Sequence, residues 1–498
     1  MSAGDVVDRD TSQSACLLWH TPIGSRRKEV VVSRSSIVTH QVISRSPCTH
    51  GPMIVMKFGG TSVESAEAID RVADIVRARM SRRPVVVVSA MGKTTNALLA
   101  IASAAASGER ERAMSMLCAL SDFHRRESAQ LRDLDEPFEE LAALVGDVAR
   151  TRELTPLASD AFASYGERLS SLVVTALLQR SGIAAVHLDA RTVIITDERH
   201  TQAAPCFPET YARLAATVPA LARDRVVVMG GFIGSTLHEV TTTLGRGGSD
   251  YTASIVGAGI DAEEIQIWTD VDGMLTCDPT ILPGGYRVKS CSFAEAAELA
   301  YFGAKVLHPA TVLPAIEKNI PVRILNSRRP DVDGTLIVAE APPCTNAIRS
   351  LACKRAITLV NIVSTRMLMA HGFLRRVFEI FDRFETPVDM IATSEVSVSL
   401  TIDDTRALNF IRAEIETFAQ LSVESNQSIV CLVGDNIRRT PGVAARVFGA
   451  LRDINVRMIS QGASLLNISL VVSDADLHRA IESLHREFFH DPDPSAFE

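Results

Sequence analysis

Three glycines frame an arginine at Gly245-Arg246-Gly247-Gly248-Ser249-Asp250, just after the run Thr241-Thr242-Thr243. Glycines cost conformational entropy and bury little, so packing is not expected to explain them. They suit a backbone concavity for an anion, with Arg246 at its centre as a two-point clamp for a carboxylate. Asp250 is expected to open the following helix and to orient donors there. A second stretch, Lys57-Phe58-Gly59-Gly60-Thr61-Ser62, follows the apolar run Ile54-Val55-Met56. Its two glycines let backbone N–H groups approach a phosphate, and Lys57 adds a point charge. A plain Gly-Gly turn after a strand explains that stretch equally well.

Other stretches are less specific. Ser89-Ala90-Met91-Gly92-Lys93-Thr94-Thr95-Asn96 ends like a phosphate-binding loop. That loop needs a glycine where Val87 stands. What remains is a small-residue loop opening a helix, either an anion site or a simple N-cap. Ser164-Tyr165-Gly166-Glu167-Arg168 puts a carboxylate beside a glycine at an expected helix start. Glu167 would bind an ammonium group there, or cap the helix, and capping is the commoner role. Trp268-Thr269-Asp270-Val271-Asp272-Gly273 suits ribose or base recognition, though Asp-Gly turns are widespread. In Phe302-Gly303-Ala304-Lys305-Val306-Leu307-His308-Pro309, Lys305 is placed to reach phosphate and His308 reads as a helix-end residue. Gly257-Ala258-Gly259 imitates a dinucleotide fingerprint. A helix precedes it and a strand follows, the reverse of what that motif requires.

The elements that must hold these residues read as α/β. Short β-branched runs at Ile54-Val55-Met56, Val85–Val88, Ile194-Ile195, Val226–Met229, Ile265–Trp268 and Val322–Leu325 alternate with Ala- and Leu-rich helical stretches. This predicts a mostly parallel sheet covered on both faces, with ligands at the carboxyl ends of its strands. The chain has 498 residues, enough for two or three domains. Its net charge of -8 argues against nucleic acid as the main partner. No uncharged apolar stretch is long enough to span a membrane. Nine scattered cysteines without a C-x-x-C pair fit reduced thiols in a cytosol-like compartment.

Beyond Glu340-Ala341-Pro342-Pro343 the sequence repeats. Gly372-x-x-x-Arg376-Val377-Phe378 recurs as Gly442-x-x-x-Arg446-Val447-Phe448, and Val388-x-Met390-Ile391 as Val456-x-Met458-Ile459. Each copy reads strand–helix–strand–strand, predicting two small α+β modules over 341–427 and 428–498 after a catalytic domain over 53–340. Residues 1–52 are rich in Ser and Arg without periodicity. Asp5, Asp8, Asp10 and Glu29 count against a targeting peptide there. A disordered tail, or translation upstream of a start at Met53, is the expectation.

Taken together and in order, the Lys57, Arg246, Trp268 and Phe302 stretches resemble the aspartate kinases. The tail, with Thr393-Ser394-Glu395-Val396-Ser397, resembles that family's paired ACT domains. Leu275-Thr276-Cys277-Asp278-Pro279-Thr280 is most similar to the monofunctional, lysine-sensitive branch, which includes plant members. The resemblance implies a three-layer αβα amino-acid-kinase sandwich, cytoplasmic or, in a plant, plastidic. It implies phosphoryl transfer from ATP to the side-chain carboxylate of L-aspartate, with Mg²⁺ carried on the ATP phosphates and no metal site of the protein's own. Carried over by motif, Lys57 and Asp250 are catalytic. Thr95, Glu167, Arg246 and Ser249 hold aspartate. Lys57, Gly59, Gly60, Thr269, Asp270 and Lys305 face the nucleotide. Met367, Phe373, Leu374, Val388, Asp389, Ser394 and Glu395 form an effector pocket, most simply for lysine, in a homo-oligomer joined through the ACT-like modules. Leu275 and Thr280 stand where some members carry nucleotide-facing Tyr and Arg, and Ala370 where some carry a polar effector contact. Glutamate or acetylglutamate kinases, and a catalytically silent amino-acid sensor, are the competing readings.

Overall fold

The computed structural model describes residues 52–303, 309–364 and 371–498. The expectations for residues 1–51 and for Lys305, His308, Met367 and Ala370 lie outside them. The apolar run after Met53 forms β1 (Ile54–Phe58), buried along its whole length. It is joined by β2 (Pro84–Val88), β3 (Ala185–His187), β4 (Val226–Gly230), β7 (Glu264–Thr269), β8 (Ser290–Ser292), β9 (Val322–Asn326) and β10 (Thr335–Val338). A short hairpin of β5 (Ile233–Ser235) and β6 (Thr241–Thr243) stands apart. The eight strands run in the order β3-β4-β2-β1-β7-β9-β10-β8. All neighbours are parallel except β9 and β10. The chain builds leftwards from β1 to β2, crosses to the edge strand β3, comes back to β4 between them, and then places β7 on the other side of β1. This reversal is where open α/β sheets bind ligands.

Strand alternation sorts the side chains between two layers. Ile54, Met56 and Phe58 face a core built with α1 (Ala66–Arg77), α2 (Thr94–Ala106), α3 (Arg110–Glu127), α4 (Asp135–Thr151) and α5 (Pro156–Arg180). Val55, Ile265 and Ile267 face the opposite core, under α6 (Phe207–Leu221) and α7 (Gly248–Gly259). Two expectations fail locally. Ile194-Ile195 is not a strand: the Ile194 N–H turns back to the Ala190 carbonyl, and only one bridge, Ile195 to Ser235, remains. Glu167 is not at a helix start. The N-cap of α5 is Thr155, followed by Pro156, and the helix is buried on so many sides that its apolar pattern marks no beginning.

After α8 (Phe293–Tyr301) and α9 (Leu313–Glu317) the chain enters a six-stranded antiparallel sheet, ordered β12-β13-β11-β14-β16-β15. Its strands are β11 (Ser350–Val363), β12 (Ile391–Thr393), β13 (Ser397–Ile402), β14 (Gln420–Val433), β15 (Met458–Gln461) and β16 (Asn467–Ser473). Its helices are α10 (Phe373–Arg383), α11 (Leu408–Ile415), α12 (Val443–Ala450) and α13 (Leu477–Phe488), so each copy has one more helix than the sequence pattern suggests. The repeat is structural. Gly372 and Gly442 are left-handed N-caps with φ of 82° and 85°. Val377 and Val447 are buried while Phe378 and Phe448 are each 37% exposed. Arg376 and Arg446 lie over the rings of Phe418 and Phe488, at 3.8 and 4.5 Å. The 14-residue strands β11 and β14 are shared between the copies. Ser350–Lys354 pairs with the far half of β14, and Ile357–Val363 with its near half, across a bulge where Ala356 has φ of 57°.

Candidate active site

Alternation along β1 puts Lys57 on the same face as Val55, toward α7. Asp250 sits in the first turn of α7, and its Oδ1 is 2.7 Å from Lys57 Nζ. A cavity of about 300 Å³ opens beside this pair, lined by Lys57, Ser89, Thr95, Glu167, Phe232, Gly245, Arg246, Gly247, Ser249 and Asp250. The structure thus brings together every residue expected to contact aspartate. Phe232 and Ser89 were not singled out, although the Gly230-Gly231-Phe232 turn after a buried strand was a usable signal.

The glycines around Arg246 do more than expected, because packing also requires them. A Cβ at Gly248 would lie 2.6 Å from the Phe232 ring, and one at Gly231 would lie 2.7 Å from Ser249 Cα. Gly245 and Gly247 have φ of 75° and 72°, which other residues rarely adopt. This tight turn leaves the Arg246 side chain exposed, with no carboxylate or hydrogen-bond partner among the described residues.

Glu167 faces the same cavity from the middle of α5. It is 4% exposed. Its Oε1 accepts the Ala90 N–H at 3.2 Å, and its Oε2 has no partner among the described residues. Burial pushes its carboxyl up to about 8, against the pull of backbone N–H groups and of Lys57. A buried carboxylate without a cation is costly, and the group holds a proton instead. An incoming ammonium would reverse that balance.

The nucleotide-side residues are more dispersed. The Gly59 N–H is already given to the Trp268 carbonyl, which closes β1 onto β7 and removes it as a phosphate donor. Gly60 stays close to the 89–95 loop, where a Cβ would meet the Ala90 carbonyl at 2.9 Å. Thr269 Oγ1 donates to Asp270 Oδ1 at 3.2 Å, at the carboxyl end of β7. A larger cavity, of about 820 Å³, lies over β7, β9 and β10. Its cations are already engaged, Arg82 with Glu264 and Arg287 with Glu498, so the smaller cavity is the better place for chemistry.

The expected effector residues cluster around α10 and the β12–β13 hairpin. Phe373 opens α10 and meets the Phe418 ring edge-on at 5.7 Å, while Leu374 beside it is exposed. Val388 packs on the same small core. Ser394 Oγ lies 2.7 Å from Ser397 Oγ and fixes the hairpin turn that exposes Glu395. Asp389 is already engaged: Lys354 Nζ sits 2.6 Å from its Oδ1 and 2.9 Å from Asp403. Lys354 was not foreseen, because nothing in the local sequence marks a partner 35 residues away.

The sequence model of the amino acid kinase family matches residues 52–326, and that of an ACT domain matches 430–488. Aspartokinase 1, chloroplastic, of Arabidopsis thaliana is 39% identical over 474 residues, covering 89% of this chain and 82% of the relative. The lysine-sensitive aspartokinase 3 of Escherichia coli is 38% identical over 454 residues, covering 88% and 99%. The chain is a member of the aspartokinase family. It is an ATP-dependent kinase acting on the aspartate carboxyl. Two crystal structures of Escherichia coli aspartokinase III superpose on this aspartokinase at 36% identity, both covering 88% of this chain. The complex with lysine and aspartate (T-state) gives a TM-score of 0.76 and covers 99% of that chain. The complex with aspartate and ADP (R-state) gives 0.75 and covers 100%. No described helix is long and apolar enough to cross a membrane.

Proposed function

We propose that the cavity beside Lys57 and Asp250 binds L-aspartate by its amino-acid head, with Arg246 on the α-carboxylate and Glu167 on the ammonium. Thr95 and Ser249 line the same walls. The observation that carries this reading is a guanidinium without a partner and a buried carboxyl with one unsatisfied oxygen, awaiting a cation, on one small cavity among the described residues. An amino acid satisfies both at once. The side-chain carboxylate then points toward Lys57. It is ionised at neutral pH, so the reaction needs positioning and charge neutralisation rather than a base. A carboxylate oxygen bonds to the γ-phosphorus of ATP as the bond from that phosphorus to the β–γ bridging oxygen breaks. Lys57 neutralises the transferred group and Asp250 holds Lys57 in place. No covalent enzyme intermediate is required.

ATP enters from the side of Gly60, Thr269 and Asp270, with Lys305 assigned to it by motif alone. Among the described residues no group of three or more His, Cys, Asp or Glu side chains could hold a metal by itself. Mg²⁺ bound to phosphates needs only one or two carboxylates, and the exposed Asp270 fits that need. The modules around β11 and β14 bind lysine as feedback effector through Phe373, Leu374, Val388, Asp389, Ser394 and Glu395, with Met367. The matching exposed pairs Phe378 and Phe448, and Ile391 and Ile459, support a homo-oligomer formed through these modules.

Two experiments test the catalytic reading. Arg246→Lys keeps the charge but loses the planar fork. The KM for aspartate should rise roughly tenfold to a hundredfold, the equivalent of about 1.5–3 kcal/mol, with the KM for ATP little changed. A defect confined to ATP would move Arg246 to the nucleotide side. Glu167 must lose a proton to accept the ammonium. From pH 6 to its value of about 8, the KM for aspartate should therefore fall as pH rises, by at most about tenfold per unit. Glu167→Gln should abolish that slope. An unchanged slope would separate Glu167 from the substrate.

A further inference from the structure

We infer that Asp160 is a positioning residue for the aspartate pocket: through Thr243 and the 197–205 loop it sets the height of Arg246 opposite Glu167. This inference rests on the reading of Arg246 and Glu167 as the two poles of the substrate clamp. Asp160 is a carboxylate 1% exposed inside α5, and among the described residues no Lys or Arg pairs with it. It spends both oxygens on one loop and one strand end. The Thr201 N–H donates to Oδ1 and Oδ2, each at 3.0 Å. His200 Nδ1 lies 2.8 Å from Oδ2. The Thr243 hydroxyl donates to Oδ1 at 2.5 Å.

These bonds hold a floor under the arginine turn. Thr201 is a non-glycine residue with φ of 71°, a conformation that needs outside support. The Ala203 N–H bonds to the Thr243 carbonyl, so loop and strand are tied twice. The Thr201 carbonyl and the Gln202 side chain then lie directly beneath Gly245. A Cβ on Gly245 would meet them at 3.3 and 3.4 Å. Thr243 is the last residue of β6, three positions before Arg246. Any shift of the floor is passed to the backbone that carries Arg246.

The opposite pole is set by the same helix. Glu167 lies seven residues after Asp160, within about 20° of the same helix face and about 10.5 Å further along the axis. Helix α5 therefore carries the ammonium acceptor itself and, through Asp160, the support of the carboxylate clamp. The backbone anchors of the two poles are thereby tied to one element. The span between the poles selects a substrate whose amino and carboxylate groups share one carbon.

The test is initial-rate ADP release by the full chain, varying aspartate and ATP separately, for Asp160→Ala, Thr243→Val, Arg246→Ala and the double variants with Arg246→Ala. Asp160→Ala should raise the KM for aspartate about tenfold or more, the scale for a misplaced binding group, and change the KM for ATP less than about twofold. Thr243→Val leaves Asp160 its other partners and should give a smaller rise of the same kind. If Asp160→Ala does not fold, Thr243→Val carries the test alone. In the Arg246→Ala background either substitution should add nearly nothing, because residues acting through one contact are not additive. Full additivity would overturn the inference while leaving the Arg246 reading intact. So would a rise in the KM for ATP equal to that for aspartate. A normal KM for aspartate in Arg246→Ala alone would overturn the Arg246 reading, and the inference with it.

Discussion

The two copies of the regulatory repeat share a sequence pattern but not a relation to the rest of the molecule. The second copy is continuous with the catalytic domain. Ile429, Leu432, Val447, Leu470 and Leu484 belong to one apolar cluster with Val55, Ile265, Phe293 and Leu299. Helix α8 bolts the two together. Arg349 and Glu295 form an ion pair with both side chains 2% exposed. Glu298 accepts from Ser464 at 2.7 Å and from Asn467 at 2.6 Å. The first copy has its own small core of Val360, Ile362, Val377, Ile380, Phe381, Val398, Leu400 and Ile411. Its hairpin, carrying Ser394 and Glu395, is exposed. The second copy is packed into the catalytic cluster, whereas the first joins it only through residues such as Ile357, Leu359 and Met390 and keeps a small core of its own, on which the expected effector residues Phe373 and Val388 pack. A separate core next to a bulged strand can reorder without unfolding the catalytic layers, which gives an effector two states to bias.

Three substitutions test this contrast. Removing Arg349 as Arg349→Ala leaves Glu295 buried and unpaired, a loss of about 3–5 kcal/mol. Thermal unfolding of the whole chain should shift, with catalytic and regulatory signals moving together. Separate transitions would show that the second copy is not part of the catalytic unit. Ile362→Ala in the first core should cost about 2–4 kcal/mol locally. Amide exchange should speed in residues 357–423, while ADP release persists and the response to lysine is lost. A matching loss of protection in β1 or β7 would contradict the separateness of that core. Glu395→Ala should raise the lysine concentration for half-inhibition by several-fold, on the scale of about 1–2 kcal/mol for one charged contact. Equal inhibition curves for variant and parent would remove Glu395 from the effector site.

Legibility in the sequence followed the range of the interactions. Lys57 and Asp250 were readable because each stands in a glycine-framed motif at a strand end or helix start, while their roles came with the family resemblance. The repeat was readable because both copies need the same left-handed glycine and the same buried valine. Glu167 was placed at the wrong point of its helix, since a helix buried all round shows no face and no end. Asp160 and Lys354 were invisible. Each is defined by partners 35 to 83 positions away, and an isolated Asp or Lys in sequence carries no mark of them. The division of β11 between the two copies depends on a bulge at Ala356, a residue with no turn signature. The dual role of the Arg246 glycines, conformational and steric, needed the approach of Phe232, which only the folded chain supplies.

The cavity beside Lys57 is proposed to recognise both poles of an amino-acid head group. This recognition is tested most directly by kcat/KM in an ADP-release assay with aspartate, glutamate and N-acetylglutamate as alternative acceptors. Aspartate should be strongly preferred, with no measurable turnover of N-acetylglutamate, which has no ammonium for Glu167. Preferred turnover of N-acetylglutamate would contradict two-pole recognition, because the buried Glu167 would then have no cation to meet.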